Sequence, residues 1–177
     1  LLADEVAAEA GDNVERLMSH PSLVLWNGNN ENIWGYVDWE WQPVLDGRPW
    51  GAGFYFELLP QVVAAIDPQR PYFAGSPYSG TMDIHPNADA NGCIHEWEVW
   101  NRVDYTRYRA RTPRFVSEFG WQAPPTWATL RAAISDDPLT PTSPGMLHHQ
   151  KADDGNGKLA RGLAHHFDVP ADMDRWL

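Results

Sequence analysis

Two glutamates, each at the end of an apolar run, are the residues of this sequence best suited to chemistry. Glu31 follows the run Leu23–Trp26 and an asparagine-rich turn, and Glu118 lies near the end of the run that begins at Phe115. A glutamate in such a position is costly to bury unless it is paired or lines a cavity. Two carboxylates that face one cavity are the minimum equipment for cleaving a glycosidic bond.

Each of these glutamates also has a simpler interpretation. Glu31 could be an exposed loop carboxylate close to the start of a helix, and the residues alone leave this as plausible as a catalytic role. Its neighbours Asn29 and Asn30 could donate their amides to a sugar hydroxyl. For Glu118 the apolar context favours a functional carboxylate over a structural one.

Histidines and serines suggest further chemistry, most of which the spacing excludes. The pairs His148–His149 and His165–His166 point in different directions on a helix, and no zinc-binding motif is present. We therefore expect no metal ion and no cofactor. His95 could line a cleft, but a structural histidine at a strand end fits at least as well. The segment Gly75–Pro77 is not a nucleophile elbow, which argues against a serine hydrolase.

The composition excludes some partners and suggests another. A net charge of −11 without a basic run argues against nucleic acid, and no segment approaches the roughly 20 apolar residues of a membrane span. The single cysteine supports neither secretion nor an oxidising compartment. Ten tryptophans are an unusual number, and those beside polar residues or glycine, such as Trp97 and Trp121, suit the rim of a sugar-binding cleft.

Helical and strand patterns alternate along the chain, which predicts an α/β fold with a parallel sheet. Polar residues follow the predicted strands, and in barrel enzymes such residues form the active site. The sequence therefore predicts part of a (β/α)8 barrel, about strands four to seven with their helices. Strands are predicted at Leu23–Trp26, Tyr72–Ala74, Ile94–Trp100 and Phe115–Phe119, and the polar residues in or after them are Glu31, Ser76, His95 and Glu118. Helices are predicted at 3–19, 54–66, 104–111, 127–134 and 159–167.

Several segments, in order, resemble the β-mannosidases of glycoside hydrolase family 2. HPSLVLWNGNNEN (His20–Asn32) is similar to their fourth-strand signature, and PRFVSEFGWQ (Pro113–Gln122) to their seventh-strand signature. SPYSG (Ser76–Gly80) and HEWEVW (His95–Trp100) resemble the strand regions between them. The stretch 147–167 resembles the helix that follows the nucleophile strand, so the resemblance covers nearly the whole chain.

This resemblance implies a retaining exo-β-mannosidase that releases terminal β-D-mannose. Glu31 would be the general acid/base and Glu118 the nucleophile, with Asn30 at the sugar 2-hydroxyl and Asn29 beside it. His95, Trp97 and Trp121 would shape the sugar subsite. The partner is then a β-mannoside, with neither nucleic acid nor a membrane.

The resemblance also implies that residues 1–177 are one part of a single barrel domain. The remaining barrel strands and the flanking β-sandwich domains of the family are absent, so the isolated chain is expected to be inactive and to need the rest of its parent chain. Another family 2 sugar (β-galactoside, β-glucuronide or β-glucosaminide) is the first alternative. A non-catalytic, tryptophan-rich carbohydrate-binding fragment is the second.

Overall fold

The computed structural model describes residues 1–170 and 172–177, which divide into two compact units. The first unit comprises Leu1–His95 and Thr112–Glu118, and the second comprises Glu96–Arg111 and Phe119–Leu177. Among these residues no helix is long and apolar enough to cross a membrane.

The first unit contains helices and the short strands that carry the polar residues of interest. Its strands are β1 (Trp26–Asn27), β2 (Tyr72–Phe73), most of β3 (Ile94–Glu96) and most of β4 (Val116–Phe119). Its helices are α1 (Leu2–Leu17), α2 (Asn32–Asp38), α3 (Trp41–Leu45) and α4 (Leu59–Ile66), the last preceded by a π-helical stretch, Phe54–Leu58.

Strands β1 and β2 run parallel, with Trp26 opposite Tyr72 and Asn27 opposite Phe73. Strands β3 and β4 form a second pair, which is joined by the hydrogen bond from Ile94 N–H to the Phe115 carbonyl at 2.9 Å. The described residues thus contain short strand pairs with helices, as the α/β prediction requires. A closed barrel stays a prediction from the sequence.

The core of the first unit lies beside β2 and holds the start of α2 in place. Ile33 on α2 is buried against Ala74 and Tyr78, and aromatic rings complete this cluster. Burying Ile33 fixes the helix that begins directly after Glu31, so apolar packing determines where this carboxylate starts. The surrounding rings are Trp50, Tyr55, Tyr72 and Phe73.

The second unit is helical and has its own core. Leu130 and Ile134 pack with Leu139 and Met173, which gives this unit a cluster independent of Ile33. Its helices are α5 (Glu98–Asn101), α6 (Trp127–Ala133), α7 (Pro144–His149), α8 (Gly155–Ala164) and α9 (Met173–Trp176), with a 3-10 helix at Tyr105–Ala110.

Two predicted strands differ from the observed ones, and local hydrogen bonds explain why. The first strand was predicted at Leu23–Trp26, but the Arg70 guanidinium takes the Leu23 carbonyl at 2.7 Å, and pairing begins only at Trp26. The third was predicted to extend to Trp100, but β3 ends at Glu96. Its carboxylate accepts the N–H of Glu98 at 3.1 Å, and α5 begins there.

Some helices were missed because their sequences carry turn residues. No helix was predicted at α2, α3 or α7, whose segments contain asparagine, glycine or proline. Proline is compatible with the first turn of a helix, and it lies there in α7. The predicted helices at 3–19, 54–66 and 127–134 are confirmed within a few residues at their ends. The helix predicted at 159–167 instead spans 155–164, and 104–111 is a 3-10 helix.

Candidate active site

Main-chain pairing positions Glu31 immediately before the first residue of α2. The parallel ladder of β1 and β2 continues past both strands, because Ser76 N–H donates to the Asn29 carbonyl at 3.0 Å and Glu31 N–H donates to the Ser76 carbonyl at 2.7 Å. Glu31 has a left-handed backbone conformation (φ 59°). Such a conformation costs a non-glycine residue about 1–3 kcal/mol and persists only where the surroundings impose it.

Asn29 and Asn30 have different surroundings in this turn. The Asn29 side chain accepts the N–H of Asn32 at 3.0 Å and donates to the Ala74 carbonyl at 2.6 Å, so its amide braces the turn before α2. Asn30 pairs through its backbone with Ser76 and is exposed. The structure therefore gives Asn29 a structural contact, and the sugar-binding roles of both residues stay predictions.

Glycine is required at one position of this turn. A side chain at Gly28 would collide with the Tyr72 hydroxyl and would lie only 2.7 Å from the Ala74 carbonyl. The close approach of the two chains at this point lets the ladder continue to Glu31.

His95 is the residue that brings the two glutamates together. Its side chain is fully buried on β3, and Nδ1 lies 2.7 Å from Glu31 Oε1 and 3.3 Å from Glu118 Oε2. Because Nδ1 faces a carboxyl oxygen of each glutamate, it carries the ring hydrogen and donates it, since a lone pair at this position would face two other acceptors. The predicted convergence of Glu31, His95 and Glu118 is therefore seen in the structure.

The opposite side of the imidazole contacts a pair of serines. His95 Nε2 lies 2.7 Å from Ser76 Oγ, which in turn lies 2.7 Å from Ser117 Oγ. Ser117 also donates to the Ile94 carbonyl at 3.2 Å. Sequence reasoning noted Ser76 at a strand end but missed Ser117, although Ser117 directly precedes Glu118 in the apolar run.

The sequence Ser76–His95–Glu31 has the hydrogen-bond order of a serine-hydrolase triad, but its surroundings do not suit acyl transfer. The Ser76 N–H is bonded to the Asn29 carbonyl, and the next residue is Pro77, which has no N–H. An oxyanion hole commonly uses backbone N–H groups at these positions. The serine therefore orients the imidazole and is not set up as a nucleophile.

Glu31, His95 and Glu118 also form a group whose ligand atoms lie within 4.8 Å of one another. Among residues 1–170 and 172–177 this is the one such group of three acidic, histidine or cysteine side chains. The Nδ1 hydrogen between the carboxylates accounts for their close approach without an ion. Glu31 is about one-fifth exposed and Glu118 about one-third, so a ligand can reach both.

Trp97 and Trp121, which were predicted to shape the sugar subsite, belong to the second unit. Trp97 precedes α5 and is half-buried. Trp121 meets Trp100 edge to face, with ring centroids 5.4 Å apart, and packs on α8 so tightly that a side chain at Gly162 would collide with it. Packing contacts account for the position of Trp121, and sugar contacts of both tryptophans stay predictions.

The second unit contains a cavity of about 630 Å³ with aromatic walls. Tyr108, Phe119 and Trp121 line it, together with the hydrogen-bonded pair Asp104 and His166. Oδ2 of Asp104 lies 2.6 Å from Nε2 of His166. Hydrogen bonds from Thr106, and secondly from His166, hold the pKa of Asp104 well below its usual range. Asp104 is therefore ionised near neutral pH and cannot act as an acid there.

Comparisons with known proteins give one consistent result. No family model matches the chain. β-Mannosidase B of Thermothelomyces thermophilus is 33% identical over 175 residues, which cover 90% of this chain and 20% of that protein. The β-mannosidase of Mus musculus is 30% identical over 184 residues, or 96% of this chain and 20% of that protein.

A solved structure agrees with these relatives. The crystal structure of a β-D-mannosidase from Dictyoglomus thermophilum superimposes with a TM-score of 0.84 and 39% identity, over 99% of this chain and 21% of that one. The chain thus spans about one-fifth of the length of the proteins it matches. The resemblance to β-mannosidases is confirmed.

Proposed function

Because the chain is similar to β-mannosidases along nearly its whole length, we propose that it is part of the (β/α)8 catalytic domain of a family 2 β-mannosidase. The observation that carries this proposal is the convergence of Glu31 and Glu118 on the two sides of one imidazole N–H. The substrate is then a β-mannoside with a terminal, non-reducing mannose.

Glu118 is the nucleophile in the proposed reaction. Its carboxylate attacks the anomeric carbon while the bond from that carbon to the leaving oxygen breaks. Glu31, as the acid, gives its proton to the leaving oxygen, so the first product departs as a neutral alcohol. The sugar remains joined to Glu118 as an ester.

Water completes the reaction on the same face of the sugar. Glu31, now a carboxylate, takes one proton from the water as its oxygen bonds to the anomeric carbon. The ester bond to Glu118 breaks, and both glutamates return to their starting states. Two inversions at one carbon leave the product with the β configuration of the substrate.

The spacing of the carboxylates supports this retaining route. One oxygen of Glu31 and one of Glu118 lie within 4.8 Å of each other. Retaining enzymes place the two carboxyl groups about 5–5.5 Å apart, whereas inverting enzymes need about 6.5–9.5 Å to admit a water molecule. The observed separation therefore favours the retaining class over the inverting one.

The first experiment uses the full protein and a panel of nitrophenyl β-glycosides of mannose, galactose, glucuronic acid and glucosamine. We expect the mannoside to be turned over fastest, and negligible turnover of it would exclude the proposed function. Proton NMR during the first minutes should show the β anomer of mannose before mutarotation. An initial α anomer would exclude the retaining route while keeping the sugar assignment.

The isolated 177-residue chain is expected to be inactive in the same assay. The relatives it matches are about five times as long, so the sugar pocket is proposed to need residues beyond those described here. Partner segments from the same parent protein are therefore part of the proposal.

A further inference from the structure

We propose that Asn87 is a positioning residue that fixes His95 between the two carboxylates, an inference that rests on the proposed function. Asn87 lies in the loop between β2 and β3, eight residues before His95. Nothing in its sequence context distinguishes it from Asn91, the other asparagine of this loop, and only the structure shows its contacts.

Asn87 binds both backbone groups of His95. Its Oδ1 accepts the His95 N–H at 2.8 Å, and its Nδ2 donates to the His95 carbonyl at 3.0 Å. One amide side chain thus gives His95 the pair of hydrogen bonds that a neighbouring strand would supply. Such a two-point contact restrains both the position and the twist of β3 at this residue.

The imidazole is held at its other end by Ser76. With the backbone bonded to Asn87 and Nε2 within 2.7 Å of Ser76 Oγ, little freedom is left for Nδ1. The ring of Trp34 also meets the imidazole edge to face, with centroids 6.3 Å apart. Loss of the Asn87 contact would release the backbone groups of His95 itself and leave the residue held by its side-chain contacts and by the pairing of β3 with β4.

Asn87 is itself tied to the helix that begins after Glu31. Its N–H donates to His85 Nδ1 at 3.1 Å, and His85 Nε2 lies 2.7 Å from Asp38 Oδ2. Asp38 is the last residue of α2 and also accepts the Trp34 indole N–H at 2.7 Å. Hydrogen bonds therefore link the end of α2, the helix that begins directly after Glu31, to His95, whose imidazole contacts Glu31.

The contact distances indicate which step depends on this link. His95 Nδ1 is 2.7 Å from Glu31 but 3.3 Å from Glu118, so the imidazole holds the acid more closely than the nucleophile. Displacing His95 should therefore weaken protonation of the leaving oxygen more than attack on the sugar. Poor leaving groups need that proton, and strongly activated ones do not.

The test compares Asn87→Ala, Asn87→Asp and Asn91→Ala in the full protein. Asp at position 87 keeps an acceptor for the His95 N–H but loses the donor to its carbonyl. Asn91 is the matched control, because it lies in the same loop and its side chain makes no hydrogen bond among the described residues. Each variant is assayed on the 4-nitrophenyl and the more activated 2,4-dinitrophenyl β-mannosides, with thermal unfolding measured in parallel.

We expect Asn87→Ala to lower kcat/KM on the 4-nitrophenyl substrate by about tenfold or more, because kcat/KM reports the step in which Glu31 acts as the acid and small misplacements of catalytic groups are costly. The loss of kcat/KM on the dinitrophenyl substrate should be below about threefold, Asn87→Asp should be intermediate, and Asn91→Ala should match the wild type. A merely structural residue would lower stability and both kcat/KM values together, and equal losses on the two substrates would overturn the proposal. So would an unchanged kcat/KM on the 4-nitrophenyl substrate.

Failure of the proposed function gives a different result. If the wild-type protein turns over no β-mannoside, the proposed function fails, and NMR of the His95 ring nitrogens in Asn87→Ala still tests the positioning role. We expect the ring resonances to shift in Asn87→Ala and not in Asn91→Ala. Identical spectra for Asn87→Ala and the wild type would overturn the inference by itself.

Discussion

The polar network around His95 in the first unit and the aromatic cavity of the second unit are built on opposite principles. Around His95, hydrogen bonds of 2.7 Å orient each polar atom of the imidazole. In the second unit, rings in edge-to-face contact, such as Tyr108 with Phe119, line a cavity of about 630 Å³. The difference teaches that the volume of a cavity says little about its chemistry, whereas the orientation of carboxylates in a site says much more.

This comparison implies that substitutions in the two regions have different consequences. Replacing Glu31 or Glu118 beside His95 should change rates while leaving the fold largely intact, because it alters single polar atoms of partly exposed side chains. Substitutions around Trp121 should change the free energy of unfolding, because packing there leaves no room. Four variants test these expectations, from the largest expected effect to the smallest.

Replacing Glu118 by Gln should have the largest effect. The amide is similar in shape but cannot form the glycosyl ester, so kcat on 4-nitrophenyl β-mannoside should fall by about four orders of magnitude or more. The free energy of unfolding should change by less than about 1 kcal/mol. Glu57→Gln, at an exposed glutamate of the same unit, is the control and should retain full activity.

Replacing Glu31 by Gln should have the next largest effect, and a selective one. Loss of a general acid lowers rates by about 10²- to 10⁴-fold, and the loss should be smaller for substrates whose leaving group needs no proton. Comparing kcat/KM for 4-nitrophenyl and 2,4-dinitrophenyl mannosides measures this selectivity. Equal losses on both substrates would reverse the roles assigned to the two glutamates.

Gly162→Ala should act on stability in the second unit. The added methyl group would collide with the Trp121 indole, and overpacking of this kind costs about 1–3 kcal/mol. Urea denaturation of the full protein measures the change. Gly53→Ala is a matched control, because an added methyl group there meets open space at an ordinary backbone conformation.

The same variant sharpens the comparison between the two regions. If Trp121 serves packing alone, KM for the mannoside should be the same in Gly162→Ala and in the wild type. A several-fold rise in KM without loss of kcat would instead support the sugar contact that the sequence predicts for Trp121.

Tyr72→Phe should have the smallest effect, and that effect should depend on pH in the alkaline range. Burial, and secondly the nearby Tyr55, raises the pKa of the Tyr72 hydroxyl to about 12. Its hydroxyl donates to the Tyr55 carbonyl at 2.7 Å, so the variant loses about 1 kcal/mol near neutral pH.

The sign of the pH dependence follows from the raised pKa. Below pH 10, the ordinary value, Tyr72 keeps its proton in both states and its contribution to stability is complete. From there to about pH 12 the unfolded chain releases the proton first, so the free energy of unfolding falls as pH rises. Urea denaturation at about pH 9 and 11 should show a smaller fall for Tyr72→Phe than for the wild type. An identical fall in both proteins would contradict the assignment to Tyr72.

The sequence predicted which polar side chains converge better than the atoms that hold them in place. Glu31, His95 and Glu118 were expected to converge because each lies in or after a predicted strand, and strand ends of a parallel sheet meet at one edge. Asn87 and Ser117 were missed, since their contacts depend on how a loop folds back and not on periodicity. The bracing role of Asn29 was likewise invisible, because an amide beside a carboxylate suits a sugar as well as a carbonyl.

Element boundaries were hardest where side chains replace backbone partners. The first strand begins at Trp26 and not at Leu23 because an arginine takes the Leu23 carbonyl, and β3 ends where Glu96 accepts the N–H of Glu98. Arginine and glutamate are common residue types, so the sequence does not indicate where one of them will replace a backbone hydrogen-bond partner. Apolar spacing predicted α1 and α6 well, since there the pattern itself determines which side is buried.

The main-chain ladder that runs from β1 and β2 through Ser76 to Glu31 allows the side chains of the turn to vary in evolution or design. The length of the turn, in contrast, must stay constant. Side chains exposed there, such as Asn30, can be exchanged in a library without moving the acid, because main-chain bonds determine its place. A single residue inserted between Gly28 and Glu31 would shift the pairing by one step and direct the carboxylate away from His95. Changes of specificity should therefore come by substitution in this turn, and variants with a lengthened turn should be inactive.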